Sequence, residues 1–348
     1  MEKNFDQHSF NNYELITERQ FPVLKRRVFA LPKKVVLRHG NSFDLQRTLT
    51  AIQKKYDYDF SLIFDHLLRK YDPNGLMYAL NLIFPLSSGG TVDSEAAVGQ
   101  TAFIAHLFYP ELFQSSLTWL SQLPAEVDLF ISTDSEEKKQ LIAALAEEKG
   151  IRNNIDICVF SAAGREWAAL LLGFADVPNR YEFLGFTHDK KSTQKEYSTV
   201  GASFNTALWE NMVCSEAYVR NVLAVFKKNP SLGLLVPPPP YWGTYFKTAV
   251  DFWAINFDAT EALAEQLGLC SQRSDAIRQL FAGLISSQDF PPEPLANDGT
   301  INHALERILP FVAASNRYLS GWVMSDEYAR TYLSDTSLML RETLAALS

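Results

Sequence analysis

Cysteine is scarce in this chain: Cys158, Cys214 and Cys270 are the three among 348 residues. Their spacing fits no metal-ligand pattern, and a disulfide framework is excluded as the organising device. Each lies in an apolar or helical stretch, so they read as reduced core or near-core thiols of a cytosolic protein. Long apolar runs are absent as well, none approaching the ~18 residues of a membrane span. Met1 to Gln20 is polar and acidic, which predicts no secretory leader. Positive charge is in deficit, with 32 Lys and Arg against 40 Asp and Glu and a net charge of −8. Nucleic acid is therefore not an expected partner, because phosphate-backbone binding needs a basic surface. No Gly-x-Gly-x-x-Gly follows the first strand-like run, which argues against a nicotinamide-dinucleotide enzyme. There is no internal repeat, and the one biased stretch is Pro237 to Pro240.

What is present is an ordinary globular balance, 47% hydrophobic and 21% charged, with a clear rhythm in its middle third. Thr101–Phe108 is an apolar run, and Pro110–Leu123 has helical spacing. Val127–Asp134 is a second apolar run, and Ser135 is placed to cap a helix over Glu136–Lys149. Ile155–Phe160 and Tyr181–Phe186 are the third and fourth runs. Short β-like runs alternating with helices predict an α/β fold with a mostly parallel sheet flanked by helices. Such sheets bind ligands beyond the carboxyl ends of their strands. Here those ends are polar: Asp134, then Gly164-Arg165-Glu166, then His188-Asp189-Lys190-Lys191. They are the residues expected to line a nucleotide or sugar-nucleotide crevice.

Before this region, helical spacing over Asp44–Lys54, Asp59–Tyr71 and Leu76–Phe84 predicts a helical N-terminal module, with Ser87–Thr91 as a linker. After it, the chain is polar to Asn205, and Leu208–Lys228 holds one or two helices. Leu232–Val236 is another strand, closed by a rigid proline elbow at which Tyr241 and Trp242 could stack on a sugar ring. Helices are expected over Phe252–Leu267, Ile301–Ile308 and Asp326–Ala346, with an apolar segment at Tyr318–Val323. Asn297 or Asp298 is placed to cap the helix at Ile301. The expected organisation is 1–95 helical module, 96–315 central α/β domain and 316–348 strand and helix extension.

The order of motifs resembles the rhamnan synthesis F family of bacterial glycosyltransferases. The matching stretches are Ala105–Leu112, Asp128–Asp134, Gly164–Glu166, Phe186–Ser192, Leu232–Pro238 and Pro292–Thr300. Val36–Gly40 and Trp322–Arg330 are similar too. The resemblance implies a GT-A-like, Rossmann-like fold and a nucleotide-sugar donor, dTDP-rhamnose. It also implies rhamnosyl transfer with inversion to a growing, lipid-linked glycan of the bacterial cell surface. The protein would then be cytoplasmic and at most peripheral, at the inner face of the plasma membrane. Two departures stand out. Glu166 occupies the place of an Asp in the family's Gly-Arg-Asp. Leu269–Arg273 runs straight into the helix at Asp275–Phe281, where the family carries an extra strand of about twenty residues' insertion that would support the acceptor side. The alternative function is a catalytically inactive glycosyltransferase-like partner in a polysaccharide-assembly complex.

Glycosyl transfer must stabilise a leaving diphosphate and take a proton from an acceptor hydroxyl, through an oxocarbenium-like transition state. At the fourth strand there is no Asp-x-Asp, the metal-binding motif of many GT-A enzymes. Lys190 and Lys191 could neutralise the diphosphate without a metal. Alternatively Asp189 and His188 hold Mg²⁺ or Mn²⁺. Asp134 would meet the base or ribose, or cap the helix at Glu136. Gly164 with Arg165 would admit the nucleotide, or make a tight turn. Asp298 is the candidate base, with Glu293 in reserve, and His303 and Glu306 play a supporting part at best.

Overall fold

Alternate residues of the central strands belong to different layers. In the computed structural model Ala102, Ile104 and Phe130 join one buried cluster, and Phe103, Ala105, Leu129 and Ile131 join another. A side-chain period of two with both sets apolar is what a sheet covered on both faces requires. The structure describes residues 83–90, 98, 100–160, 163–190, 198–230, 232–238, 255–269, 284–292, 299–316 and 318–330.

The elements in chain order are β1 (Ile83–Leu86), β2 (Thr101–His106), α1 (Pro110–Leu120), β3 (Asp128–Thr133), α2 (Glu136–Glu148), β4 (Ile155–Val159) and α3 (Arg165–Ala168). A π-helical turn, Ala169–Gly173, continues α3. Then come β5 (Phe183–His188), α4 (Ser198–Val213), α5 (Glu216–Lys228), β6 (Leu232–Val236), α6 (Phe257–Gln266), α7 (Ile301–Ser315) and β7 (Leu319–Ser325). A four-stranded sheet has the order β4-β3-β2-β5 and is parallel throughout. A three-stranded sheet has the order β1-β7-β6, with β6 and β7 parallel. The α/β class with mostly parallel sheets flanked by helices, expected from the sequence, is therefore present, and it is compatible with a Rossmann-like fold.

Helices α1, α2, α4 and α5 cover one face of the larger sheet, through Phe113, Leu117, Ile142, Trp209, Val213 and Val219. The π-helical turn, α6 and α7 cover the other, through Leu170, Leu171, Leu263, Leu305 and Ile308. Fully burying each such side chain contributes about 1.5–3 kcal/mol. The helix starts follow local chemistry. Ser135 Oγ accepts from Lys138 N at 3.3 Å and Ser215 Oγ from Tyr218 N at 3.1 Å. Pro110 opens α1, where its missing N–H costs nothing.

By internal contacts the chain divides into Met1–Ile83 and Phe84–Ser348. The helices expected over Asp44–Lys54 and Asp59–Tyr71 lie outside the described residues. Ile83 and Phe84, expected at the end of a helix, are in strand β1. The pairing of β1 with β7, more than 230 residues later in the chain, decides that conformation. The 87–90 segment, expected as a linker, is tied down. Ser88 N and Oγ donate to Asp326 Oδ1, and Asn221 Nδ2 donates to the carbonyls of Ser87 and Gly90. Helix α4 begins at Ser198, ten residues before the helix expected from Leu208 and within the polar stretch that precedes it. Strand β7 pairs with β6, so the first part of the expected 316–348 extension belongs to a sheet with β6. Cys158 and Cys214 are half-buried free thiols, and burial raises the pKa of both, that of Cys214 to about 11. Cys270 lies outside the described residues.

Candidate functional site

Four parallel strands put four carboxyl ends on one edge of the sheet. Strand β2 connects outward on one side through β3 and β4, while β5 flanks it on the other. The order therefore reverses between β2 and β5, which is where ligands of open α/β sheets settle. Asp134, the turn Gly164–Glu166 and Asp189–Lys190 follow strands of this sheet on its carboxyl side, and His188 is the last residue of β5. Register brings three polar residues level across it, His106 opposite Ser132 on β3 and opposite His188 on β5.

His106 is 4% exposed and its Nδ1 is 2.9 Å from Ser132 Oγ. Burial pushes its pKa down to about 4, against the pull of Glu166 and Asp134. It is therefore a neutral imidazole at physiological pH. Asp134 does not cap α2, a role taken by Ser135. It pairs instead with Lys138 Nζ at 2.7 Å, and that ammonium also lies 3.9 Å from the centre of the Phe108 ring.

Asp189 is tied to the backbone. Its Oδ1 and Oδ2 accept from Phe108 N at 3.0 and 2.9 Å, and Oδ2 accepts from Tyr109 N at 2.9 Å. Tyr109 is the N-cap of α1, a position that wants an acceptor for its neighbouring N–H groups and here finds one across the sheet. Burial nevertheless lifts the Asp189 carboxyl to about 6, outweighing the N–H groups of Tyr109 and Phe108. His188 lies beside it, with Nδ1 3.0 Å from the Asp189 carbonyl. Lys190 is exposed.

The Gly164–Glu166 turn is held in an unusual backbone. Gly164 has φ 99° and Arg165 φ 48°, the one left-handed non-glycine among the described residues. A Cβ on Gly164 would collide with the Phe290 ring, so both φ and space demand glycine there. Asn302 Nδ2 donates to the Gly164 carbonyl at 2.9 Å, which fastens α7 to the turn. Glu306 stands one helical turn after Asn302. Glu166, His188 and Glu306 each offer a ligand atom within 4.8 Å of the other two. Glu166 and His188 are half-buried and Glu306 is exposed, and Glu306 also lies 3.6 Å from Arg307 Nη1.

Residues 2–318 match the profile of rhamnan synthesis protein F. The chain belongs to that family. No curated protein and no solved structure matches it. Membership in the rhamnan synthesis protein F family ties the chain to polysaccharide biosynthesis. Among the described residues no helix is long and apolar enough to cross a membrane.

Of the residues singled out in the sequence, the structure brings Asp134, Gly164, Arg165, Glu166, His188, Asp189 and Lys190 to the carboxyl side of one sheet. Lys191, Glu293, Asp298, Tyr241 and Trp242 lie outside the described residues. Gly299, next to Asp298, donates its N–H to Asn256 Oδ1 at 2.8 Å, and Thr300 Oγ1 is 2.9 Å from His303 Nδ1 at the head of α7. His106 and Lys138 were not singled out as site residues. The signal for His106 was a polar residue closing an apolar run. For Lys138 it was the i, i+4 spacing from Asp134.

Proposed function

We propose that this protein is a glycosyltransferase that moves rhamnose from a nucleotide sugar to a growing, lipid-linked glycan, with inversion at the anomeric carbon. The observation that carries the proposal is the set of polar residues at the carboxyl edge of the sheet, at the β2–β5 switch point, in a chain that belongs to a rhamnan synthesis family. We assign the four-stranded sheet to a GT-A-like core on that basis. Asp134 and the turn at Gly164 and Arg165 would meet the nucleoside, and Lys190 and Lys191 the diphosphate. A carboxylate is needed to take the acceptor's proton, and Asp298, with Glu293 in reserve, is assigned that role. The donor assigned is dTDP-rhamnose, and the place of action is the cytoplasmic face of the membrane, with the protein peripheral at most.

The test is a thermal-shift panel of nucleotide sugars on the full chain, since a ligand that binds only the folded form raises its melting temperature. A shift with dTDP-rhamnose that exceeds those of other nucleotide sugars is expected. No shift with any nucleotide sugar would contradict the proposal.

One observation favours the non-catalytic partner instead. Among the described residues β5 pairs with β2 and β6 with β7, and the edges of β5 and β6 line one cavity of about 920 Å³. Phe183, Phe186, Leu232 and Leu235 are on its walls. The sequence also departs from the family's pattern at Leu269–Arg273, where the resemblance leads one to expect an acceptor-side strand. A protein of this kind would bind the donor without turning it over.

A further inference from the structure

Two carboxylates and an imidazole converge at the carboxyl edge of the sheet on three separate elements. Glu166 comes from the turn after β4, His188 from the end of β5 and Glu306 from α7. Their ligand atoms lie within 4.8 Å of one another. Two carboxylates held that close repel unless a cation stands between them. We propose that Glu166, His188 and Glu306 form a divalent-cation site of the Mn²⁺ class, at which the metal's remaining positions receive the oxygens of a diphosphate.

Three features of the surroundings support it. The first is the orientation of His188. A carbonyl oxygen only accepts, so the contact of Nδ1 with the Asp189 carbonyl at 3.0 Å places the proton on Nδ1. Nε2 is left as the ligand atom, and a backbone carbonyl behind the imidazole is a common support for a metal-binding histidine. The second is the investment in the Glu166 turn. Gly164 at φ 99° and Arg165 at φ 48° deliver Glu166 to this point, and a left-handed non-glycine such as Arg165 persists only where the surroundings over-determine it. The third is Asn302, 4% exposed, whose Nδ2 grips the Gly164 carbonyl while its Oδ1 has no hydrogen-bond partner. The bond to Gly164 anchors the turn that bears Glu166 to the helix that bears Glu306, so the two carboxylates are held on one fixed framework.

The donor set selects the cation. Two hard carboxylate oxygens and one borderline imidazole suit Mn²⁺, with Mg²⁺ and Zn²⁺ as its nearest competitors. Charge explains why a metal is needed if a nucleotide sugar is the ligand. A diphosphate placed directly against Glu166 and Glu306 would be repelled, whereas a bound dication reverses the sign of the site. The site also relieves Asp189 of the ligand role, since that carboxylate is engaged by Phe108 and Tyr109. The Glu306–Arg307 contact, at 3.6 Å and 40% exposure of the Glu306 side chain, is a weak competitor.

The diphosphate part of the inference rests on the proposed donor, so the metal is tested first without nucleotide. Mn²⁺ binding to the full chain is followed by the loss of the free-ion paramagnetic resonance signal. One Mn²⁺ per chain is expected. Changes to outer-shell residues alone cost about 10–100-fold in metal affinity, so Glu166→Gln and Glu306→Gln should each weaken binding by at least about tenfold. Glu147→Gln, on the exposed face of α2, should leave it unchanged. Melting in metal-free buffer establishes that each variant folds. If Glu166→Gln does not, Glu306→Gln at its exposed helix position decides. No Mn²⁺ binding to the parent chain, or a weakening of less than about tenfold in a folded variant, overturns the site. Mn²⁺ binding with no affinity for dTDP-rhamnose would leave the site standing and remove the proposed donor. Donor binding with no Mn²⁺ binding would do the reverse.

Discussion

Asp189 holds the backbone N–H of Tyr109 at 2.9 Å, eighty residues away in sequence. The same carboxylate takes the N–H of Phe108 with both oxygens, and the Asp189 N–H donates to the His106 carbonyl at 3.1 Å. The ends of β2 and β5 are thereby stitched together where the strand order reverses. A residue whose position after a strand marks it for ligand chemistry also fastens the carboxyl ends of two strands to each other.

Removing that clasp should be costly in stability. Asp189→Ala leaves the Phe108 and Tyr109 N–H groups without their acceptor, and an orphaned buried donor costs about 1–3 kcal/mol. Urea unfolding of the variant should show a loss in that range or somewhat above it. A loss under about 0.5 kcal/mol, the size of an ordinary surface change, would mean that the clasp contributes nothing.

The pH dependence of stability should contain two opposed contributions. His106 is depressed to about 4 in the folded protein from an ordinary 6.5. Between those values the unfolded chain binds the proton and the folded one does not, so its stabilisation is present above pH 6.5 and is lost as pH falls to 4. Asp189 is raised to about 6 from 3.8. There the folded chain binds the extra proton, so stabilisation is present below 3.8 and is lost as pH rises through 6. Each amounts to about 3 kcal/mol at 1.36 kcal/mol per pH unit. The parent protein should be nearly flat between about pH 4 and 6, while Asp189→Asn should lose stability steadily on acidification over that range. Denaturant midpoints in metal-free buffer check this, and parallel profiles for the two proteins would contradict it.

Gly164→Ala should destabilise the fold and distort the Gly164–Glu166 turn together. A left-handed backbone costs an L-residue roughly 1–2 kcal/mol, and the new methyl meets the Phe290 ring as well. A melting curve lowered by at least that equivalent is expected, with Mn²⁺ and donor binding weakened in the folded fraction. An unchanged melting temperature would show that the turn relaxes freely.

The paired lysines should matter to the donor. Lys190→Ala combined with Lys191→Ala removes two charges that follow β5, each worth on the order of 1.5–3 kcal/mol if it meets a phosphate oxygen. Calorimetric titration with dTDP-rhamnose should show at least about a tenfold weaker Kd, equivalent to 1.4 kcal/mol. Equal affinity would place the diphosphate elsewhere.

The parallel sheet was legible because its signal is local. Thr101–His106, Asp128–Thr133 and Ile155–Val159 are apolar runs bounded by turn residues, and Leu232–Val236 coincides with β6. The end of β5 was less legible. Thr187 and His188 are polar, yet they continue the strand because they pair with Ala105 and His106 of β2. The first helical turns of α4 were hidden in the same way, by polar and small residues. Asp189 was recognisable as special and not as a clasp, since its partners are backbone groups that carry no sequence identity. Glu306 was hardest. Its relation to Glu166 and His188 depends on Asn302 docking α7 against the Gly164 turn, a contact 138 residues apart in sequence.

The most direct test of the central claim is rhamnose transfer itself. The 348-residue chain is incubated with radiolabelled dTDP-rhamnose and membranes carrying the lipid-linked acceptor, beside Asp298→Asn. That substitution keeps the shape of the side chain and removes a general base typically worth ~10²–10⁴-fold in rate. The account predicts time-dependent incorporation of label by the parent protein, with inverted anomeric configuration, and a loss of that order in the folded variant. Donor binding without any incorporation by the parent protein would contradict it and leave the non-catalytic partner in its place.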